Sequence, residues 1–358
     1  MSMSYTISNT LEDLACGKNL PSEQMHWAMQ DIMTGQWQNE QVAAFLMGLR
    51  AKGETVEEIT AAAQVMRNLS KGVVVDVPHL IDTCGTGGDG AHLFNVSTAV
   101  SFVVAAAGGA VAKHGNRSLS SKSGAADVLE AAGVYLDLTP AQVEICVKNL
   151  GVGFMFAPAH HSAMKYAMPA RKALGIRTLF NMLGPLTNPA RVPHQLLGVY
   201  SKDLVRPVAE VLKGLGLKKA VVVNGHGGLD EFSISGPSHY ALLDNGVITE
   251  ATLSPEDVGL KTASLDELKV TSPEDSLAII KRIFKKEPND VHDPARDIVA
   301  LNAGVALFVS GVCTSIELGV ELAQDELSNG GAGEKLSSLV NTTTVFRIEA
   351  EDAVSTIE

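Results

Sequence analysis

The stretch Asp82–Thr98, DTCGTGGDGAHLFNVST, decides how this chain is read. Gly85, Gly87, Gly88 and Gly90 crowd its first half, and it contains no lysine or arginine. Asn95, Ser97 and Thr98 follow at once. Glycines let successive backbone N–H groups turn toward one point, and a helix starting near Asn95 adds its positive end. This favours a phosphate cradle. Gly85, Gly87 and Gly90 also satisfy G-x-G-x-x-G, but a dinucleotide site needs an acidic residue about twenty positions on to hold the ribose. That region reads AAGGAVAKHG (106–115), without an acid and with Lys113 instead. No Gly-Lys-Ser/Thr follows, so the P-loop reading fails. Cys84 at a helix start is a candidate reactive thiol; no partner base stands at a telling spacing, and a small strand-end cysteine is the simpler reading. A bare strand-to-helix turn needs fewer than the three glycines of 87–90.

Outward from this loop, short β-branched runs alternate with alanine-rich helical runs. VAKHG (111–115), GFMFAP (153–158), LLGVY (196–200) and KAVVVNG (219–225) read as buried strands. SGAADVLEAAG, TPAQVEICVKNLG and DLVRPVAEVLKGLG read as helices between them. That alternation predicts a parallel sheet covered on both faces. Residues 1 to about 70 read as helices only: one from Ser22 to near Gly35, one from Asn39 to near Gly53, and one opened by the capping box Thr55-x-x-Glu58. Val96 to Ala112 reads as a buried helix plus a strand. Residues 160–174 read as a further helix, NMLGPLTNP (181–189) as a two-proline connector able to hinge, and Pro294 to about Leu327 as the last long helix.

Composition narrows the function. The 358 residues are 46% apolar and 19% charged, enough for a large core and two domains. A net charge of −12 disfavours a nucleic-acid binder and requires local cations or a metal wherever an anion binds. Cys16, Cys84, Cys146 and Cys313 form no CxxC pair, which suits a reducing cytosol. Glu12 and Asp13 interrupt the only signal-like stretch, and no run predicts a membrane span.

Two further segments carry chemistry. Lys113–Ser123, KHGNRSLSSKS, brings Lys113, Arg117 and Lys122 together with short polar side chains. Alone it reads better as a solvated loop. Its place after a buried strand favours a phosphate or pyrophosphate site, because α/β sheets bind ligands at strand C-terminal ends. Asp230-Glu231 follow VVVNGHGGL, and adjacent carboxylates there can hold Mg²⁺. Other acidic pairs, among them Glu12-Asp13, Glu57-Glu58, Glu256-Asp257, Asp266-Glu267 and Glu274-Asp275, read mostly as solvated faces on the same evidence; the glycine-rich strand exit distinguishes this one. His161, Met164, Met168 and Arg171 fall at i, i+3, i+7 and i+10, one helix face that suits a small aromatic acid or, equally, a core stripe.

GTGGDG (85–90), FNVST (94–98), KHGNRSLSSKSG (113–124), RKALGIRTLFNMLGPLTNP (171–189) and GLDE (228–231), in this order and over about residues 10–350, resemble the anthranilate phosphoribosyltransferases of tryptophan biosynthesis. The resemblance implies an α/β protein: a small all-helical domain plus a large α/β domain with a mostly parallel central sheet covered by helices. The helical domain would be 1–72, joined in space by about 160–182; the α/β domain would be 73–159 and 183–358. It implies a cytoplasmic homodimer that transfers phosphoribosyl from 5-phosphoribosyl 1-pyrophosphate to anthranilate, binding neither nucleic acid nor membrane. By position, Gly85, Gly88, Asp89, Asn95, Val96, Ser97, Thr98, Lys113, His114, Gly115, Asn116, Arg117, Ser118, Leu119, Ser120, Ser121 and Ala125 would hold the ribosyl donor. Gly85, Asn116 and Arg171 would hold anthranilate, with His114 and His161 along its path. Ser97, Asp230 and Glu231 would bind Mg²⁺, as two ions per subunit. Leu93 and Ala125 depart from the pattern, each lacking a hydroxyl common there, and weaker donor binding is expected. A nucleoside phosphorylase of the same fold and a non-catalytic nucleic-acid-binding relative remain as alternatives; KHGNRS and the charge disfavour them.

Overall fold

The computed structural model describes residues 5–117, 123–287 and 292–355. Four helices come first: α1 (Ile7–Ala15), α2 (Ser22–Met33), α3 (Asn39–Lys52) and α4 (Val56–Leu69). The predicted capping box is present. Thr55 Oγ1 accepts from the Glu58 amide at 3.2 Å and the Glu58 carboxylate accepts from the Thr55 amide at 2.8 Å.

The large sheet holds seven strands: β1 (Leu80–Gly85), β2 (Ala110–Gly115), β3 (Val152–Phe156), β4 (His194–Gly198), β5 (Lys219–Asn224), β6 (Ser238–Asp244) and β7 (Val247–Leu253). Their order is β3-β2-β1-β4-β5-β6-β7. The first five run parallel, as expected; β6 and β7 are antiparallel. The chain builds outward from β1 to β3 and then returns to add β4 on the other side. This reversal between β1 and β4 opens a crevice at their C-terminal ends, where Gly85 pairs with Gly198.

Side-chain alternation along the strands separates two cores. Leu196, Val221 and Val223 point into one, with α5 (Val96–Ala106) and the helix Pro294–Ser310. Leu197, Ala220 and Val222 point into the other, shared with α2, α3, α4 and the helix Val205–Gly214. Ala167, Ala170, Phe180 and Leu183 join this second core, so the 160–186 region packs with the N-terminal helices.

Three expectations need correction. The helix read across 160–174 is three pieces: Ala157–His160, a 3₁₀ turn Ser162–Tyr166, and Met168–Leu174. His161 leaves helical geometry (φ −118°, ψ 55°), and Pro169 restarts the helix in its first turn. His161 and Arg171 therefore do not lie on one continuous face. The connector 181–189 is mostly helical, since Leu179–Leu186 forms a helix carrying Pro185. The helix read from Pro294 to about Leu327 is two, Pro294–Ser310 and Ile316–Asn329, and neither is the last long helix, because Gly331–Ser355 follows. Gly311 ends the first in the left-handed region (φ 79°) and Ser315 caps the second. The β6–β7 hairpin went unpredicted, although Asn245-Gly246 carried its signal: both residues have positive φ (47° and 84°), as a tight hairpin turn demands.

Candidate active site

The crevice at the β1/β4 reversal is a cleft of about 380 Å³. A larger one, about 990 Å³, lies elsewhere among Phe284, Lys286, Gly330 and Leu336, without a comparable convergence of charge. Four segments build the central cleft: the glycine loop after β1, the residues after β2, Asp230-Glu231 after β5, and the Arg171–Pro185 region.

The glycine loop is held open by left-handed backbone at Gly87, Gly88 and Gly90 (φ 68°, 78° and 74°). Asn95 caps α5, its side-chain oxygen accepting from the Thr98 amide at 3.0 Å; its side-chain amide donates to the Ser123 carbonyl. The Ser97 hydroxyl donates to the same Asn95 oxygen and faces the cleft. Thr98 does not reach it: its hydroxyl is buried and has no hydrogen-bond partner among the described residues.

Lys113 is the cation in the floor. Its Nζ donates to the Thr83 carbonyl at 2.5 Å and to Ser97 Oγ at 3.1 Å. Burial lowers its pKa, while Asp82, Cys84 and Glu231 oppose the shift. Against it stand the paired acids. Asp230 Oδ2 accepts from the Gly87 amide at 2.7 Å. The space it occupies exists because Gly85 and Gly198 lack side chains: a Cβ at Gly85 would strike the Asp230 carboxylate, and one at Gly198 the Asp230 backbone. Burial first, then Asp89, push Asp230 up to about 7. Glu231 is pushed well above the ordinary carboxylate range by burial and then by Asp230, with Lys113 opposing. Two half-buried neighbouring carboxylates with raised pKa values form a site short of positive charge, the setting a divalent cation satisfies. Among the described residues no cluster of three or more His, Cys, Asp or Glu could enclose a metal alone. This pair therefore fits an ion that takes its remaining oxygens from a hydroxyl, water or phosphate.

Arg171 reaches the cleft from the helical side, its guanidinium 5.3 Å from the Phe180 ring. Among the described residues no carboxylate pairs with it, and burial lowers its pKa. His114 lines the cleft; His161 stands behind it, the rings meeting edge to face at 5.0 Å. Both are held neutral, chiefly by burial: His114 well below its usual value, His161 down to about 4. Gly85, Gly88, Asp89, Val96, Gly115, Asn116 and Ala125 line the cleft, as does Leu93. Arg117 borders it, but its guanidinium turns to Glu130 in a two-pronged bridge, so the expected donor contact is not preformed. Ser118, Leu119, Ser120 and Ser121 lie outside the described residues. Cys84 accepts from the Gln195 side-chain amide at 3.3 Å; burial and then Asp82 push its thiol well up, which leaves no reactive thiolate.

Sequence reasoning missed Arg177 and Tyr200. Arg177 lies 4.3 Å over the Tyr200 ring and donates to the Gly88 carbonyl at 2.8 Å, clamping the glycine loop from the helical side. No local pattern announces a contact between residues 89 positions apart.

The family model of a glycosyl transferase a/b domain matches residues 77–333, and that of the accompanying helical bundle domain matches 8–70. A two-part glycosyl transferase with its site at the sheet reversal is thus the class that fold and cleft define. Anthranilate phosphoribosyltransferase of Stutzerimonas stutzeri is 54% identical over 343 residues, 96% of this chain and 99% of that protein. That of Saccharophagus degradans is 55% identical over 334 residues, 93% of this chain and 98% of that protein. The crystal structure of the Thermus thermophilus anthranilate phosphoribosyltransferase superposes with a TM-score of 0.87 at 39% identity, covering 94% of this chain and 99% of that one. The Saccharomyces cerevisiae anthranilate phosphoribosyltransferase in complex with PRPP and Mg gives 0.87 at 27% identity, covering 96% of this chain and 100% of that one. The chain belongs to the anthranilate phosphoribosyltransferase family.

Proposed function

We infer that the cleft transfers the phosphoribosyl group of 5-phosphoribosyl 1-pyrophosphate to the amine of anthranilate, releasing pyrophosphate with Mg²⁺ required. The observation that carries this reading is the meeting of the glycine loop, buried Lys113 and the Asp230-Glu231 pair at one end of the sheet. The relatives' names and the yeast complex with PRPP and Mg support it. Residues 1–72 with 160–182 act as one unit and 73–159 with 183–358 as the other, a division supported by the core that 167–183 share with the N-terminal helices.

The glycine-loop amides and the Asn95-capped start of α5 bind the donor's phosphates. Asp230, Glu231 and Ser97 hold Mg²⁺, which neutralises charge on the departing pyrophosphate. Lys113 adds fixed positive charge in a buried floor, where it acts more strongly than in water. Arg171 pairs with the anthranilate carboxylate in up to two hydrogen bonds and orients the amine. That aromatic amine is already neutral near pH 7 and needs no strong base, which agrees with the neutral state of His114 and His161. The C1–O bond to pyrophosphate breaks, the N–C1 bond forms, and the amine loses its proton to water. Catalysis rests on positioning and on charge at the leaving group.

The test is the loss of anthranilate fluorescence when protein, anthranilate, phosphoribosyl pyrophosphate and Mg²⁺ are mixed, with an EDTA control. A fast, Mg²⁺-dependent loss is expected. No loss from folded protein defeats the assignment of the acceptor.

A further inference from the structure

The opposite end of the sheet holds a second concentration of positive charge. A groove of about 230 Å³ runs between α4 and the starts of β4 and β5, lined by Gln64, Arg67, Asn68, Arg191, Gly216 and Lys218 among others. Among the described residues no Asp or Glu lines it, in a chain of net charge −12. Among the described residues neither arginine nor Lys218 is within ion-pair distance of a carboxylate. Arg67 is 8% exposed and its Nε donates to the Leu186 carbonyl at 2.7 Å. Arg191 donates to Asn68 Oδ1 at 3.0 Å, and weakly to the Arg67 carbonyl at 3.4 Å.

Both arginines thus line one groove, close enough for the charge of Arg191 to act unfavourably on Arg67. Burial and then Arg191 bring the Arg67 pKa down to about 10. Arg191 is also held at φ 48°, a left-handed backbone that costs a non-glycine residue and persists where surrounding structure enforces it. Such a cluster is satisfied by an anion with several oxygens, which accepts from both forks. The volume suits a phosphate or pyrophosphate and not a nucleotide.

The place matters. α4 belongs to the helical unit, whereas Arg191 and Lys218 belong to the sheet. The arginines themselves link the two: Arg67 donates to the Leu186 carbonyl, and Arg191 to Asn68 Oδ1. β4 alone separates this end from the cleft, a distance of roughly 15 Å at ~3.3 Å per residue.

We propose that the Arg67–Arg191–Lys218 groove binds a phosphate-type dianion that bridges the helical unit and the sheet, separately from the catalytic cleft. Bound there, the anion ties the two units together at their junction and biases their relative motion.

Calorimetric titration of the whole protein, without Mg²⁺, with inorganic phosphate and separately with pyrophosphate tests this. The comparison is between wild type and Arg191→Asn with Lys218→Gln; asparagine tolerates the left-handed backbone, and both side chains are exposed, so the fold persists. Wild type should bind one more anion per subunit than the variant, the missing site weakened by about tenfold or more. Lys218→Glu alone should weaken the same site. Whichever anion shows the variant-sensitive site more tightly is its ligand. Superimposable isotherms for wild type and variant with both anions would overturn the proposal. So would a variant-sensitive site that chloride at equal concentration occupies as well, since that is charge attraction without recognition.

Discussion

Replacing His161 with leucine should flatten the acid sensitivity of the fold. The side chain is 7% exposed, and its ring packs 5.0 Å from that of His114. Burial, then His160, lower its pKa from 6.5 to about 4. As pH falls through 6.5 the unfolded chain protonates this histidine while the folded chain does not. Across that window the unfolded state binds more protons, so the contribution to stability is whole above 6.5 and is lost as pH falls toward 4. Between 6.5 and about pH 5 the loss from His161 alone is roughly 2 kcal/mol, at ~1.36 kcal/mol per pH unit. His114 works in the same direction and is held down in part by His161, so the variant relieves part of its share too. Urea unfolding followed by circular dichroism, at about pH 8 and about pH 5, measures the effect. Any packing cost of the substitution appears at both pH values and cancels in the difference. The variant should lose roughly 2 kcal/mol less than wild type between them. Equal losses would refute the premise that His161 is buried and neutral.

Three further predictions concern the cleft. Arg171→Ala should raise the KM for anthranilate by about tenfold or more, and that for the ribosyl donor far less, because the lost contact is a charged hydrogen bond to a carboxylate; equal effects in steady-state kinetics would contradict the role. Asp230→Asn with Glu231→Gln should abolish most of the Mg²⁺-dependent rate in a metal titration, and an unchanged Mg²⁺ dependence would sink the metal assignment. Gly198→Ala places a Cβ against the Asp230 backbone, so it should displace the acidic pair and cost about 1–3 kcal/mol of stability by overpacking, alongside a loss of rate; a wild-type melting temperature and rate would show that the strand exit is looser than described.

How much of this was legible follows the range of the interactions involved. The Thr55–Glu58 box, the Asn95 cap and the strand runs at 111–115 and 219–225 are set within a few residues by hydrogen bonding and steric preference, and each appears where the sequence places it. Where reading failed locally, a local signal had been passed over: Asn245-Gly246 for the hairpin, and Gly311 followed by Ser315 for the broken helix.

The chemistry of the site was written in the residues: a glycine loop able to cradle phosphate, one lysine beyond it, a carboxylate pair after a strand. The sequence alone could not rank Asp230-Glu231 above the chain's other acidic pairs by anything firmer than a glycine-rich strand exit. The tertiary structure decided that, by seating β4 beside β1 and bringing Asp230 to the Gly87 amide across 143 residues. It also placed Arg177 on the loop, turned Arg117 away to Glu130, and gathered Arg67, Arg191 and Lys218 at the far end of the sheet. The physical reason is that hydrogen bonds and packing act over a few ångströms. Sequence fixes which residues are near one another only along the chain, while strand order fixes which meet across it.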